Sequence, residues 1–138
     1  MNPEIKRELI LDNYNNPTNK GLLNDDNYLK IDKNNESCID HFKIELKLNG
    51  DKIEDIRFDG ESCAIATSSL SISIGLLLGK TKEEALNIID NYEKMINGED
   101  YDKDVIEELI VYEDTHKQPA RKKCATLGIL GIKELLEK

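Results

Sequence analysis

Three cysteines and one aspartate are the residues of this sequence best suited to metal or sulfur chemistry. Cys38 stands two residues before Asp40, Cys63 lies near the middle of the chain, and Cys124 lies near its end. Three thiolates and one carboxylate can complete a tetrahedral zinc or iron site. The sequence has no Cys-x-x-Cys motif, so spacing alone leaves open whether the four residues meet. The alternative is three buried, inert thiols that act as small apolar side chains.

The local sequence around each cysteine favours a functional role over an inert one. Cys38 has polar neighbours, and Cys63 stands at the predicted start of a helix. Cys124 follows the segment 117–123, which holds four basic residues and could otherwise be a solvated loop. The positive end of a helix dipole and nearby cations both stabilise a thiolate. We therefore expect reactive or metal-bound thiolates.

Length and composition limit the classes of function that the chain can have. It has 138 residues, of which 38% are hydrophobic and 34% are charged, with a net charge of −9. These values predict one domain spanning residues 1–138. The acidic balance argues against nucleic acid as the main partner, and no apolar run is long enough to cross a membrane. The first residues lack the features of a signal peptide, so we expect a cytoplasmic protein with reduced thiols.

The hydrophobic pattern predicts three strands followed by several helices. Alternation over 42–48 and the Asn49-Gly50 turn indicate a hairpin, whose second strand runs over 53–59 with Ile56 and Phe58 on one face. A weaker strand is expected over 28–31. Helices are expected over 3–14, 64–78, 81–96, 104–111 and 119–138, the last loosened near Lys123 and Cys124. The predicted fold class is α+β, a three-stranded antiparallel sheet with helices packed on one face and a metal site at one end.

The alternation also predicts where the first cysteine and the aspartate point. Cys38 and Asp40 stand at even-numbered positions, as Phe42 and Ile44 do, and every second residue of a strand points to the same face. By this parity of position, both should face the core if the strand extends back to them. A lone buried carboxylate is costly, and a metal ion would offset that cost. His41 has the opposite parity and should point away from such a site.

These segments resemble the NifU N-terminal/IscU family of iron–sulfur assembly proteins. The resemblance runs from about residue 4 to the C-terminus, and four motifs carry it in order: Tyr14-Asn15-Asn16-Pro17, Cys38-Ile39-Asp40, Gly60-Glu61-Ser62-Cys63, and Pro119-Ala120-Arg121-Lys122-Lys123-Cys124. Within the family the chain is more similar to the SufU branch than to the IscU branch. The span from Cys63 to Cys124 is long, 61 positions, and Lys123 stands where IscU-type proteins have a histidine.

The resemblance implies a function as well as a fold. It implies a zinc site formed by Cys38, Asp40, Cys63 and Cys124, with Cys38 accepting a persulfide sulfur from a SufS-type cysteine desulfurase. Other iron–sulfur assembly proteins would then receive the sulfur. Two alternatives remain: a scaffold that builds a transient iron–sulfur cluster on the same ligands, and a structural zinc domain with an unrelated role. Whether the chain is a sulfurtransferase enzyme or a non-enzymatic scaffold therefore stays open.

Two further residues affect this interpretation. Arg121 is suited to pair with Asp40 or with a freed Cys38 thiolate, and its alternative is a surface residue at the start of a helix. Ile39 stands where the family has glycine between the cysteine and the aspartate. A β-branched residue restricts the backbone more than glycine does, so we expect a stiffer loop around Cys38.

Overall fold

The structure, a computed structural model, describes residues 1–35 and 39–138. In these residues it has three strands, five α-helices and two short 3₁₀ helices. The strands are β1 (Leu29–Asn34), β2 (His41–Asn49) and β3 (Lys52–Asp59). The α-helices are α1 (Pro3–Asn15), α2 (Ala64–Leu77), α3 (Lys82–Ile96), α4 (Lys103–Ile106) and α5 (Pro119–Leu136), and the 3₁₀ helices are Glu107–Tyr112 and Thr115–Lys117. The predicted α+β fold class is confirmed.

The three strands form one antiparallel sheet with β2 in the centre. The predicted hairpin joins β2 to β3, and Gly50 in its turn has φ +65°, a conformation that glycine adopts without strain. At the other end of the sheet, Asn34 of β1 pairs with His41 of β2. The segment that carries Cys38 and Asp40 connects these two residues, so it leaves the sheet at that end.

The two faces of the sheet are covered by different parts of the chain. Phe42, Ile44 and Leu46 of β2 are buried in the core that the helices share. On the opposite face, the carboxylate of Glu45 is also buried, and it accepts hydrogen bonds from the backbone N–H groups of Leu23 (2.8 Å) and Asn24 (3.1 Å). The loop before β1 therefore covers part of the face that the alternation assigned to solvent.

Side-chain caps fix the starts of two helices where the sequence predicted them. Asn2 accepts a hydrogen bond from the backbone of Ile5 and caps α1. Thr81 and Glu84 form a reciprocal capping box at the start of α3, with N···O distances of 3.0 and 3.1 Å. No helix in residues 1–35 or 39–138 has the length and apolar character needed to span a bilayer.

Helices α2 and α5 pack closely because glycine stands at their contact. A Cβ at Gly128 would lie only 2.8 Å from Cβ and Cδ1 of Leu70. A side chain larger than that of glycine would therefore force the two helices apart or displace Leu70. The expected loosening of the last helix near Cys124 is wrong, since α5 runs unbroken through it. Cys124 and Ala125 are buried there, and the hydroxyl of Tyr92 donates to the carbonyl of Ala125 (2.7 Å).

One other helix prediction needs correction. The single helix predicted over 104–111 is one α-helical turn followed by a 3₁₀ helix that begins at Glu107. The φ of Glu107 is +43°, so this residue cannot continue an α-helix. The apolar side chains of α1 contact the core only in part. Leu9 and Ile10 pack against the core, whereas Ile5 and Tyr14 are exposed.

Candidate metal centre

Asp40, Cys63 and Cys124 come together at one end of the sheet. One possible ligand atom from each residue lies within 4.8 Å of the other two. Asp40 directly precedes β2, Cys63 directly precedes α2, and Cys124 lies in the second turn of α5. Three of the four predicted ligands therefore meet although they are distant in sequence. Cys38, the fourth, lies outside the described residues.

The carboxylate of Asp40 is the most deeply buried part of this cluster, with only 1% of the residue exposed. Its Oδ1 accepts a hydrogen bond from the backbone N–H of Cys63 (2.8 Å), and its Oδ2 lies 3.8 Å from Cys63 Sγ. It forms no ion pair with any lysine, arginine or histidine of the described residues. The core-facing orientation that parity predicted for Asp40 agrees with this burial.

Hydrogen bonds keep Asp40 ionised in spite of its burial. Burial acts to raise the pKa of the carboxyl group, but hydrogen bonds from the backbone of Cys63 and from the side chains of Cys124, Cys63 and Asn35 outweigh it. The pKa of Asp40 therefore lies below its ordinary value. A buried negative charge consequently stands beside two thiols, a setting that favours a bound cation.

Gly60 allows Cys63 to reach Asp40. Its φ of +133° is accessible mainly to glycine, and a Cβ at this position would lie 2.0 Å from the carbonyl oxygen of His41. The backbone N–H of His41 donates to the carbonyl of Glu61 (2.8 Å), which ties the segment to the start of β2. Cys63 then caps α2, its Sγ accepting from the N–H of Ala66 at 3.5 Å. The Gly-x-x-Cys spacing thus positions the thiol at both a helix start and the sheet end.

Cys124 completes the described part of the cluster from α5. The side-chain amide of Asn35 lies 3.8 Å from its Sγ, and 7% of the residue is exposed. Burial raises the pKa of Cys124 well above its ordinary value, and hydrogen bonding to Asp40 and the charge of Cys63 raise it further. In the absence of a cation this thiol therefore stays protonated. A bound divalent metal would reverse that preference by supplying the missing positive charge.

The donor set fits zinc or iron. In a tetrahedral site with Zn–S bonds of about 2.3 Å and Zn–O bonds of about 2.0–2.2 Å, neighbouring ligand atoms stand roughly 3.5–3.8 Å apart. The Asp40 Oδ2 to Cys63 Sγ distance of 3.8 Å falls at the upper end of that range. Two thiols and one carboxylate leave one position of such a site for a further ligand, and Cys38 stands two residues from Asp40 in the sequence.

Other residues considered from the sequence do not join this cluster. His41 directs its Nε2 toward Asp32 Oδ1, 4.0 Å away, as its parity predicted. His116 is hydrogen-bonded through Nδ1 to the carbonyl of Glu113 (2.8 Å). Arg121 is exposed in the first turn of α5, and it forms no ion pair with Asp40 or any other residue in the described part of the chain.

Two residues close to Asp40, Ile39 and Asn35, differ sharply in exposure. Ile39 is 73% exposed. Asn35 was not identified from the sequence, although it contacts Cys124 directly. The strand pairing could have identified it. Asn35 follows the last paired residue of β1 and therefore lies opposite Asp40, the residue that precedes β2.

The chain was also compared with known proteins. The family model of the NifU-like N terminal domain matches residues 5–127. The chain belongs to this family. The resemblance stated from the motifs is thereby confirmed.

Individual relatives of this family are similar over nearly the whole chain. The zinc-dependent sulfurtransferase SufU of Bacillus subtilis (strain 168) is 39% identical over 125 residues, which is 90% of this chain and 84% of that protein. The iron–sulfur cluster assembly scaffold protein IscU of Thermotoga maritima is 33% identical over 131 residues, 95% of this chain and 92% of that protein. The chain is thus more similar to that SufU than to that IscU.

Solved structures show the same fold. A crystal structure described as a putative iron–sulfur cluster assembly scaffold protein for the SUF system, from Fervidobacterium islandicum AW-1, superposes with a TM-score of 0.83. It is 31% identical, and the match covers 98% of this chain and 99% of that one. A NifU-like N-terminal structure from Brucella abortus has a TM-score of 0.85 at 17% identity over 94% of this chain and 90% of that one, which shows likeness of fold alone.

Proposed function

We propose that this protein acts in iron–sulfur cluster assembly as a zinc-dependent sulfur carrier. In this proposal Cys38, Asp40, Cys63 and Cys124 hold the zinc, and Cys38 accepts sulfur from a SufS-type cysteine desulfurase. The observation that carries it is the buried Asp40 carboxylate, which has two thiols beside it and no cationic partner among the described residues. The similarity to a relative named as a zinc-dependent sulfurtransferase supports the choice of metal and of chemistry.

The four ligands divide into holding and reacting residues. Zinc, when bound, neutralises the buried charge and keeps the thiols in their thiolate form. Cys124 is buried and Cys63 caps α2, so both are fixed by the helices that carry them. Cys38 belongs instead to the connection between β1 and β2. Metal coordination weakens a thiolate as a nucleophile, so the reacting form of Cys38 is the released thiolate.

The transfer step exchanges one sulfur–sulfur bond for another. The Cys38 thiolate attacks the outer sulfur of the desulfurase persulfide, and a bond forms between Cys38 Sγ and that sulfur. The sulfur–sulfur bond of the donor breaks, and its electron pair leaves with the desulfurase cysteine as a thiolate. The attacking thiolate and the leaving thiolate balance, so no external oxidant or reductant is needed. Downstream assembly proteins would take the sulfur from Cys38 by the same exchange.

Arg121 is proposed to assist this step. It stands three residues before Cys124, is exposed and has no ion pair among the described residues. A guanidinium at that place can stabilise a negatively charged Cys38 thiolate or persulfide. It would act as a catalytic residue only if it contacts Cys38 during transfer.

The experiment is site-resolved persulfide mapping. Zinc-loaded protein is incubated with a SufS-type desulfurase and cysteine, labelled with an alkylating reagent and analysed by mass spectrometry. We expect the additional sulfur on Cys38 and on neither Cys63 nor Cys124, and none in Cys38→Ser. Arg121→Gln should slow the labelling, whereas Lys117→Gln, which removes a neighbouring exposed cation that pairs with Asp114, should not. Sulfur on Cys63 or Cys124 of the wild type would contradict the proposal.

A scaffold is the second candidate, since the IscU relative of Thermotoga maritima is named as one and is similar over 95% of this chain. The cluster would then be the cargo of the same ligands. The two functions differ in what the protein contains after iron and sulfide are supplied.

A further inference from the structure

Asn35 occupies a position that ties the connection between β1 and β2 to α5. It follows directly after Asn34, the last residue of β1, and only 6% of it is exposed. Its backbone N–H donates to the carbonyl of Asp40 at 3.0 Å, which extends the antiparallel pairing by one position beyond Asn34 and His41. The backbone of Asn35 is therefore held beside one proposed ligand of the metal centre.

The side chain of Asn35 reaches a second proposed ligand. Its Nδ2 lies 3.8 Å from Sγ of Cys124, within the range of a hydrogen bond to sulfur. A thiolate only accepts hydrogen bonds, so the NH₂ group must face the sulfur and the carbonyl oxygen must face away. An N–H donor on a thiolate withdraws electron density from the sulfur and lowers its nucleophilicity.

The two described thiols are supported in different ways. Cys63 Sγ accepts from a backbone N–H, that of Ala66, because Cys63 caps α2. Cys124 lies inside α5, where the backbone N–H groups are used by the helix, so its donor comes from another segment. Asn35 supplies that donor through its side chain, which also hydrogen-bonds to the carboxylate of Asp40. A substitution at Asn35 removes the donor without replacing any of the ligands.

We infer that Asn35 is a positioning residue of the proposed metal centre, whose amide restrains Cys124 as a bound, weakly nucleophilic ligand. This inference rests on the proposed function and deepens it, because it explains why sulfur would enter at Cys38 and not at Cys124. Hydrogen-bonded outer residues commonly fix the orientation and electronic character of metal ligands.

Asn35→Asp and Asn34→Asp form a matched pair for the test. Both replace an amide by a carboxylate and change the net charge equally, but Asn34 is exposed and only Asn35 contacts the sulfur. Asn35→Leu removes the donor without adding a charge. Each variant is loaded with Zn²⁺ and alkylated with iodoacetamide, and mass spectrometry follows the reaction at each cysteine. A second sample is loaded with Co²⁺, and its thiolate-to-metal absorption bands are recorded.

We expect Cys124 to be alkylated roughly three- to tenfold faster in Asn35→Asp and Asn35→Leu, the range that one hydrogen bond of ordinary net strength implies. The rate at Cys63 should stay unchanged, and the Co²⁺ charge-transfer bands should move to lower energy as the sulfur becomes more electron-rich. Asn34→Asp should behave like the wild type. Rates and spectra of both Asn35 variants that match Asn34→Asp would overturn the inference.

A measurement on the wild-type chain covers the case in which the Asn35 variants do not fold. In ¹⁵N-labelled protein, a side-chain amide proton of Asn35 should shift downfield when metal is added, and those of Asn34 should not. Equal behaviour of the two amides would contradict the inference. A wild-type chain that binds neither Zn²⁺ nor Co²⁺ contradicts the proposed metal centre itself, which distinguishes the two failures.

Discussion

At the scale of single residues, the centre depends on placing a charged carboxylate out of water. Asp40 is buried and ionised, and its hydrogen bonds come from an N–H group and from thiols, none of which carries a positive charge. These hydrogen bonds offset the cost of burial, and the negative charge that remains attracts a cation. Two thiols within 4.8 Å select a metal that accepts both sulfur and oxygen.

Ile39 gives a test of how the backbone beside Cys38 affects sulfur uptake. Its side chain is 73% exposed, so Ile39→Gly removes little packing but widens the backbone conformations available at this position. We predict that Ile39→Gly lowers the free energy of unfolding by about 0.4–1 kcal/mol. It should also accelerate persulfide formation on Cys38. Urea denaturation and the rate of labelling measure the two effects.

Ile39→Ala is the control for this prediction. It removes most of the exposed side chain while keeping a residue with ordinary backbone preferences. The rate of persulfide formation should then stay close to the wild-type rate. An equal acceleration by alanine would mean that the side chain, rather than the backbone, limits the reaction, and the prediction would be wrong.

At the scale of elements, the contact between α2 and α5 sets the distance between two of the ligands. Cys63 caps the first of these helices and Cys124 lies within the second. Gly128 permits their close approach, because a Cβ there would lie 2.8 Å from Leu70. The spacing of the thiols is thus maintained by a residue that has no chemistry of its own.

Two glycine substitutions separate this packing effect from helix propensity. Gly128→Ala should lower the free energy of unfolding by about 1 kcal/mol, since a mid-range overpacking cost of about 2 kcal/mol exceeds the gain of about 1 kcal/mol in propensity. Gly75→Ala, on the exposed side of α2 with no atom within 4 Å of the added Cβ, should raise it by up to about 1 kcal/mol. Urea denaturation measures both.

The same two glycine substitutions should differ in their effect on metal binding. Gly128→Ala should also weaken metal binding in competition with a chromophoric chelator, because it pushes apart the helices that carry Cys63 and Cys124. Gly75→Ala should leave metal binding unchanged. If Gly128→Ala were as stable as the wild type, the helix contact could adjust freely and would not fix the ligand spacing.

The elements show what could be predicted from local pattern and what could not. The alternation over 42–48 and the Asn49-Gly50 turn are local signals, and both appear in the structure as predicted. The left-handed backbone at Glu107 and the burial of Glu45 under the loop before β1 are not local. They depend on how distant segments pack, and a single sequence does not show that packing.

At the scale of the whole molecule, the candidate site unites three distant segments that no spacing rule connects. Parity predicted that Asp40 faces the core, and the family motifs predicted its partners, but neither predicted Asn35. The contact of Asn35 with Cys124 spans 89 positions of sequence. Recognising it requires the pairing of β1 with β2 and the docking of α5 at the same end of the sheet.

Charge is also distributed unevenly over the molecule. The net charge is −9, yet Arg121, Lys122 and Lys123 stand together in the turn before Cys124. None of the three forms an ion pair among the described residues. The centre therefore combines the buried carboxylate of Asp40 with a positively charged segment beside Cys124.

The most direct test of the central claim is metal and sulfide analysis of wild-type protein purified without oxygen. It is repeated after incubation with a SufS-type desulfurase, cysteine and ferrous iron. We predict about one tightly bound zinc ion per chain, as a single tetrahedral site requires. After the incubation we expect a persulfide on Cys38, retained zinc and no visible cluster absorbance. Protein that is poor in zinc and gains iron, acid-labile sulfide and colour would contradict the account and identify a scaffold.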